Sequence, residues 1–170
     1  MEFVNDIKAM IPDYAKDIRL NLDAVILRSS LSLEEAAAVA LASAFAAGSK
    51  TVVGKIIESQ SIVRQQIDAA LTAAALMAMN NVYYPFVEMA GDDDLKGLKP
   101  ELRMNAYATF GGVDRRQFEM YALAASIVGK CHFCVQSHYA LLRKEGMTTM
   151  QLRDVGRIAS VVNAACKVIS

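Results

Sequence analysis

Cys131 and Cys134 stand three residues apart in the run Cys131-His132-Phe133-Cys134, and His138 follows four residues after the second sulfur. On a helix opening near Cys131, those spacings bring both cysteines and the imidazole to one face, with Leu141 and Leu142 continuing the stripe inward. The first turn of such a helix offers unpaired N–H groups and the positive end of the helix dipole. Both stabilise a thiolate and lower a cysteine pKa from its ordinary value of about 8.5. A thiolate that attacks a peroxide O–O bond becomes a sulfenic acid, and a second thiol three residues away condenses with it into a disulfide before further oxidation. The pattern predicts a redox-active dithiol suited to peroxides.

Upstream, the helical neighbours of Glu119 are Ala122, Leu123, Ser126 and Ile127, none of them charged, so its face points into the protein. A buried carboxylate is costly without a partner, and burial raises its pKa toward the range useful to a general base. Gly129 and Lys130 mark a bend. A helical hairpin there sets Glu119, about ten residues before the bend, against residues about ten beyond it, and His138 falls within one turn of that register. The expected line of proton carriers runs from Glu119 through His138 to the thiol of Cys134. Residue types leave open which sulfur attacks: the dipole favours Cys131, and proximity to His138 favours Cys134.

Other uses of these residues are weaker. A zinc site would recruit Cys131, Cys134, His138 and either His132 or Cys166, but the usual second ligand pair is missing. A thioredoxin-like site needs strands around the motif, and none is visible. Cys166, among Val162, Ala164, Ala165 and Val168, reads as a small buried hydrophobe, and His132 as a surface or secondary residue. The methionines, Met77 and Met79 included, read as core filler, and Tyr83-Tyr84 as packing at a helix or subunit junction. No haem or flavin motif is present, so no bound cofactor is expected.

The elements that must position the site follow from composition. The 170 residues suit one domain, and a 54% hydrophobic content supplies a core without disulfides. Lys plus Arg balance Asp plus Glu at 18 each, leaving no field to steer the chain to nucleic acid or an anionic membrane. The longest uncharged apolar stretches, Ala36 to Ala47 and Ala69 to Met79, fall short of the ~20 residues of a spanning helix. The start, Met1-Glu2-Phe3-Val4-Asn5-Asp6, does not read as a secretory signal. The three cysteines make no disulfide framework, so a reducing cytoplasm fits.

Abundant Ala, Leu and Met and the absence of sustained alternation predict an all-α chain of roughly seven to nine helices. Pro12 to Leu27 follows a short leading helix. Ser32 and Glu35 form a capping box opening Leu33 to Ala47, which Gly48 closes. After a short segment around Thr51 to Glu58, a long pattern from Ile62 to Ala90 places Ile67, Leu71, Ala74, Ala78 and Val82 on one face, with Pro85 kinking or dividing it. Gly91 and Asp92-Asp93-Asp94 mark a solvated turn. Gly111-Gly112 precedes Asp114, which caps a helix to Val128. Helices over Cys131 to Glu145 and Thr149 to Val168 complete the chain, the latter capped by Thr148 or Thr149. Glu35 to Lys50 resembles Glu119 to Lys130, and Gln65 to Met77, with Asp68, resembles Leu152 to Cys166, with Asp154. The single domain, 1–170, is therefore expected to hold pseudo-repeats at about 32–90 and 114–168. Only the second carries the cysteines.

The spacing of Glu119, Cys131, Cys134 and His138 resembles the signature of the alkylhydroperoxidase D family, in the carboxymuconolactone decarboxylase-like superfamily. The likeness extends through Tyr14-Ala15-Lys16-Asp17-Ile18-Arg19-Leu20-Asn21-Leu22, Met79-Asn80-Asn81-Val82-Tyr83-Tyr84 and Leu102-Arg103-Met104-Asn105, and so covers nearly the whole chain. The resemblance implies an internally duplicated all-helical fold, commonly a homotrimer, with antioxidant peroxidase activity on small organic hydroperoxides. It also implies regeneration of a partner peroxiredoxin, alkylhydroperoxidase C. Electrons would arrive from a dihydrolipoyl group on a lipoylated dehydrogenase-complex subunit, itself served by dihydrolipoamide dehydrogenase. By the same resemblance Cys134 forms the sulfenic acid and bonds transiently to the peroxiredoxin, Cys131 donates a proton and resolves Cys134 as a disulfide, and Glu119 and His138 complete the relay. The family often has histidine immediately before the second cysteine. Here Phe133 stands there, and His132 is left outside the mechanism. Alternatives are a relative acting on a carbon substrate, such as a lactone decarboxylase, which needs no cycling dithiol, and a non-catalytic thiol sensor or adaptor.

Overall fold

The computed structural model describes residues 1–169, and among these there are nine α-helices and no strand, the all-α class the composition predicts. Helices α1 (Glu2–Met10), α2 (Lys16–Leu22), α3 (Leu33–Ala46) and α4 (Lys50–Glu58) are followed by the long α5 (Arg64–Ala90) and the short α6 (Asp93–Gly97). Then come α7 (Arg115–Gly129), α8 (His132–Lys144) and α9 (Thr149–Ile169). A π-helical turn, Asp23–Leu27, prolongs α2, and a 3-10 segment, Asn105–Gly112, leads into α7. No helix among the described residues is long and apolar enough to cross a membrane.

Helices α3, α5, α7 and α9 pack on one another as the central body, and α8 lies across α7 and α5. Helix α3 is apolar all round, which requires burial on every side, and every residue from Ala36 to Ala44 is buried. Its small side chains let neighbouring backbones approach closely. Ser43, in the middle of this run, satisfies its hydroxyl on the Val39 carbonyl at 2.7 Å. The capping box is present: Ser32 Oγ accepts from the Glu35 amide, and Glu35 accepts from the Ser32 amide. Asp114 caps α7 by accepting from the Gln117 amide at 2.8 Å. Thr148, rather than Thr149, caps α9, its Oγ1 accepting from the Gln151 amide.

Several expectations need correction. The stretch around Thr51 to Glu58 is a full helix, α4, with Ser49 as its cap. The acidic triplet is exposed but not merely a turn, because Asp92 caps α6 by accepting from the Asp94 amide. Helix α5 runs through Pro85 undivided. Its buried face is Gln66, Ile67, Ala69, Ala70, Ala73, Ala74, Met77 and Asn80, whereas Ala78 and Val82 face solvent. The apolar stripe predicted for α5 is thus buried at Ile67 and Ala74 but not at Ala78 or Val82, because the buried face continues instead through Met77 and Asn80.

The two early aspartates of the resembling segments sit differently. Asp68 is an exposed partner of Arg64. Asp154 is buried, which pushes its carboxyl up, but it accepts from the Ser30 amide and hydroxyl at 2.8 Å and pairs with Arg157 and Arg153. The Ser30 hydrogen bonds foremost, with the two arginines, hold the carboxyl down at about 2.

The bend between α7 and α8 is built from one close approach. A side chain at Gly129 would fall on Asn81 of α5, within 2.7 Å of its Cβ, while the Asn81 amide reaches past to the Ala125 carbonyl at 3.1 Å. Glycine there leaves the left-handed turn position to Lys130, with φ of 56°. The Lys130 and Cys131 amides close the turn on the Ile127 and Ser126 carbonyls. In an open helix, Gly to Ala stabilises by about 1 kcal/mol. Here overpacking reverses the sign: Gly129→Ala is expected to cost about 1–3 kcal/mol, read as a lowered midpoint of thermal unfolding.

Candidate functional site

The Cys131-His132-Phe133-Cys134 run starts α8 as the spacing requires, with one refinement: Cys131 is the cap rather than the first helical residue. Its sulfur accepts from the Cys134 amide at 3.2 Å, taking the place that a serine or aspartate oxygen fills at other helix starts. Cys131 and Cys134 are joined as a disulfide with their Cα atoms 5.3 Å apart. Both are buried, Cys131 at 0% exposure and Cys134 at 3%, so Cys134 is the half of the pair that keeps a trace of contact with solvent.

The hairpin register holds. Glu119 is fully buried on α7, and its Oε2 lies 2.6 Å from Nδ1 of His138 on α8, itself only 7% exposed. Two further partners come from segments that the pattern of the sequence does not connect to the site. Nε2 of His138 is 3.2 Å from the thioether sulfur of Met77 on α5, and the hydroxyl of Tyr107, from the 3-10 segment, donates to Glu119 Oε1. Met77 therefore does more than fill the core. A thioether carries no proton, so the contact places a hydrogen on Nε2. The other proton of the pair lies between Nδ1 and Oε2.

Burial pushes the Glu119 carboxyl up, as expected, but its partners win. Hydrogen bonds from His138 and Tyr107, with the nearby charges of His138 and Arg115, leave it below its ordinary value. The expectation of a raised carboxyl is thus corrected, because charge-assisted donors stabilise the ionised form more than burial penalises it. Tyr107 moves the other way. Burial and the adjacent carboxylate push its hydroxyl far above the ordinary phenol range, so it stays protonated.

His132 lies on the surface, with Nδ1 3.1 Å from Glu88 Oε1 on α5. Phe133 stacks on Tyr84, the ring centroids 4.5 Å apart. These residues, with Tyr83, Val87, Leu98 and Pro100, wall an open cavity of about 500 Å3 beside the motif. Cys166 is buried away from the dithiol beside Ser49, and burial pushes its thiol up, as suits a packed rather than a reactive cysteine. The four ligands that a zinc site would need are not brought together. Among the described residues no group of three or more His, Cys, Asp and Glu side chains has the geometry to hold a metal.

The arrangement can shuttle protons and electrons at one place: a reversible disulfide at the start of α8, and one turn along the same helix an imidazole tied to a buried carboxylate. Comparison with known proteins agrees in kind. Residues 100–170 match the carboxymuconolactone decarboxylase family. The chain is 39% identical to the alkyl hydroperoxide reductase AhpD of Rhodospirillum centenum, over 98% of this chain and 90% of that protein. It is 38% identical to the AhpD of Maricaulis maris, over 98% and 97% of the two chains. With an AhpD of Coxiella burnetii the identity is 37%, over 95% and 93%.

Proposed function

Since the chain belongs to the AhpD family, we propose that it is an alkyl hydroperoxide reductase whose dithiol reduces small organic hydroperoxides and regenerates the peroxiredoxin alkylhydroperoxidase C. The observation that carries this reading is a Cys131–Cys134 disulfide one helical turn from a buried His138–Glu119 pair.

In the reduced protein the Cys134 thiolate attacks the distal oxygen of the hydroperoxide. An S–O bond forms as the O–O bond breaks, and the leaving alkoxide takes a proton to become the alcohol. Sulfur is oxidised by two electrons and the peroxide is reduced by two. Cys131 then attacks the sulfenic sulfur, water leaves, and the disulfide forms. The assignment of Cys134 as the attacking sulfur and Cys131 as the resolving one follows the family resemblance, and the place of His138 one turn beyond Cys134 on α8 supports it. His138, one turn from Cys134, takes up the thiol proton. Glu119 orients the ring and balances its charge; its lowered pKa suits that role better than that of a terminal base. A dihydrolipoyl group on a dehydrogenase-complex subunit returns the disulfide to the dithiol. A transient mixed disulfide through Cys134 passes electrons to the peroxiredoxin. We place this activity in the cytoplasm, in a homotrimer with no bound cofactor.

The test is direct. Reduced protein is expected to consume an organic hydroperoxide catalytically when dihydrolipoamide is supplied, and mass mapping after peroxide alone should find one bridge, between Cys131 and Cys134. Consumption no faster than dihydrolipoamide achieves without protein would remove the reading.

A further inference from the structure

The buried pair at the centre of the site reaches two further groups, and only one of them carries a proton that can be exchanged with water. At the inner end, His138 Nε2 meets Met77, a fully buried thioether with no proton to give. At the outer end, Glu119 Oε1 accepts from the hydroxyl of Tyr107, a half-buried side chain on the 3-10 segment Asn105–Gly112. Glu119 itself is wholly shielded from solvent. The charge of Arg115, on the same helix and tied outward to Glu145, also bears on it, and the pair's contacts to α5 and α8 run through Met77 and His138.

We infer that Tyr107 is the port through which the buried Glu119–His138 pair exchanges protons with water during each redox cycle. The inference rests on the relay described under Proposed function and adds the route by which that relay is recharged. A hydroxyl donates one hydrogen and accepts others, so Tyr107 passes its proton to Oε1 while taking one from water on its exposed side. No tyrosinate is formed, as a phenol held protonated by burial and a neighbouring carboxylate requires.

Reduction of the disulfide shows where the port is needed. A dithiol donor first loses one proton to water, and its thiolate attacks Cys134; the S–S bond breaks and Cys131 leaves, taking up the proton the donor lost. The donor's second thiol then loses its proton to water and attacks the donor sulfur of this mixed disulfide, closing the donor's own disulfide, and the departing Cys134 sulfur takes the proton that His138 holds. His138 recovers that proton through Glu119 and Tyr107 from water, which has received the donor's second one. The donor dithiol is oxidised by two electrons, the protein disulfide is reduced by two, and the two protons lost by the donor match the two gained by the protein sulfurs. Tyr107 acts through Glu119, so it is a positioning and proton-exchanging residue rather than a catalytic one. Its ring is held independently by edge contacts with Phe118 and Phe110, so removing the hydroxyl leaves its packing in place.

The experiment compares wild type, Tyr107→Phe and Glu119→Gln in the rate at which dithiothreitol reduces the Cys131–Cys134 disulfide, in dilute buffer and in increasing imidazole buffer at fixed pH. Thermal unfolding checks that each is folded. Tyr107→Phe is expected to slow reduction roughly tenfold in dilute buffer, within the range that a lost proton-transfer group commands, and to regain the wild-type rate as imidazole supplies the missing carrier. A slow Tyr107→Phe that ignores buffer concentration would mark a merely structural hydroxyl and overturn the inference. A normal Tyr107→Phe beside a slow Glu119→Gln would also overturn it while leaving the relay standing. If both variants match wild type, the relay falls and the port with it.

Discussion

Replacing Cys134 with serine is expected to abolish hydroperoxide consumption, with a loss of at least ~1000-fold, about 4 kcal/mol of transition-state stabilisation, while the protein remains folded. The size of the effect follows from the chemistry. A serine hydroxyl is not ionised near neutral pH and cannot displace an alkoxide from a peroxide, so no weaker version of the reaction survives. The fold should tolerate the change because Cys134 contributes its backbone amide, not its side chain, to the start of α8. The check is peroxide consumption with dihydrolipoamide as donor, alongside thermal unfolding. Turnover retained in Cys134→Ser would remove Cys134 from the attacking role, and a parallel Cys131→Ser protein should stall after one turnover with a sulfenic acid on Cys134.

The second large effect belongs to Glu119. Glu119→Gln keeps the shape of the side chain but removes the charge that holds His138, and thiol chemistry should slow by ~100-fold, the scale of a lost acid–base partner. A strong oxidant should still form the disulfide. Stability should fall by about 1–3 kcal/mol at neutral pH, because a charged hydrogen-bond acceptor is lost in a buried site. The pH dependence has a definite sign. The folded carboxyl lies below its unfolded value, so its contribution is fully present above the unfolded value of about 4.3 and is lost as pH falls through the lower, folded one. Wild type should therefore lose its advantage over Glu119→Gln on acidification, as unfolding with denaturant at several pH values would report. Equal thiol rates would take Glu119 out of the relay. A constant stability gap across that range would show that its partners do not hold the carboxyl down.

The core of the site was legible in the sequence because it depends on local geometry. A cap, two turns of helix and a hairpin bend at Gly129-Lys130 are enough to set Glu119 against His138, and each step is fixed by neighbours along the chain. Met77 and Tyr107 were not legible. Met77 lies 61 residues before its partner His138, on a helix whose buried face the apolar period describes only in part. Tyr107 sits in a segment with no period at all, where left-handed Phe110 and Gly111 turn the chain. The direction of the Glu119 shift was missed for the same reason. Burial can be read from neighbours at helical spacing, but the hydrogen-bond donors that outweigh it come from elsewhere in the chain. The expected stripe on α5 failed from Ala78 on because periodicity among small apolar residues does not fix which side of the helix meets the body: Met77 and Asn80 are buried there and Ala78 is exposed.

The sulfur of Cys131 also holds the first turn of α8, since it accepts the Cys134 amide. The two usual knockouts at this position are therefore not equivalent. Serine removes the redox partner and leaves an oxygen that caps at least as well, whereas alanine removes the thiol and unties the helix start in the same stroke, at a cost of about 1 kcal/mol. A defect seen only in Cys131→Ala reports on architecture, and one shared by both substitutions reports on electrons.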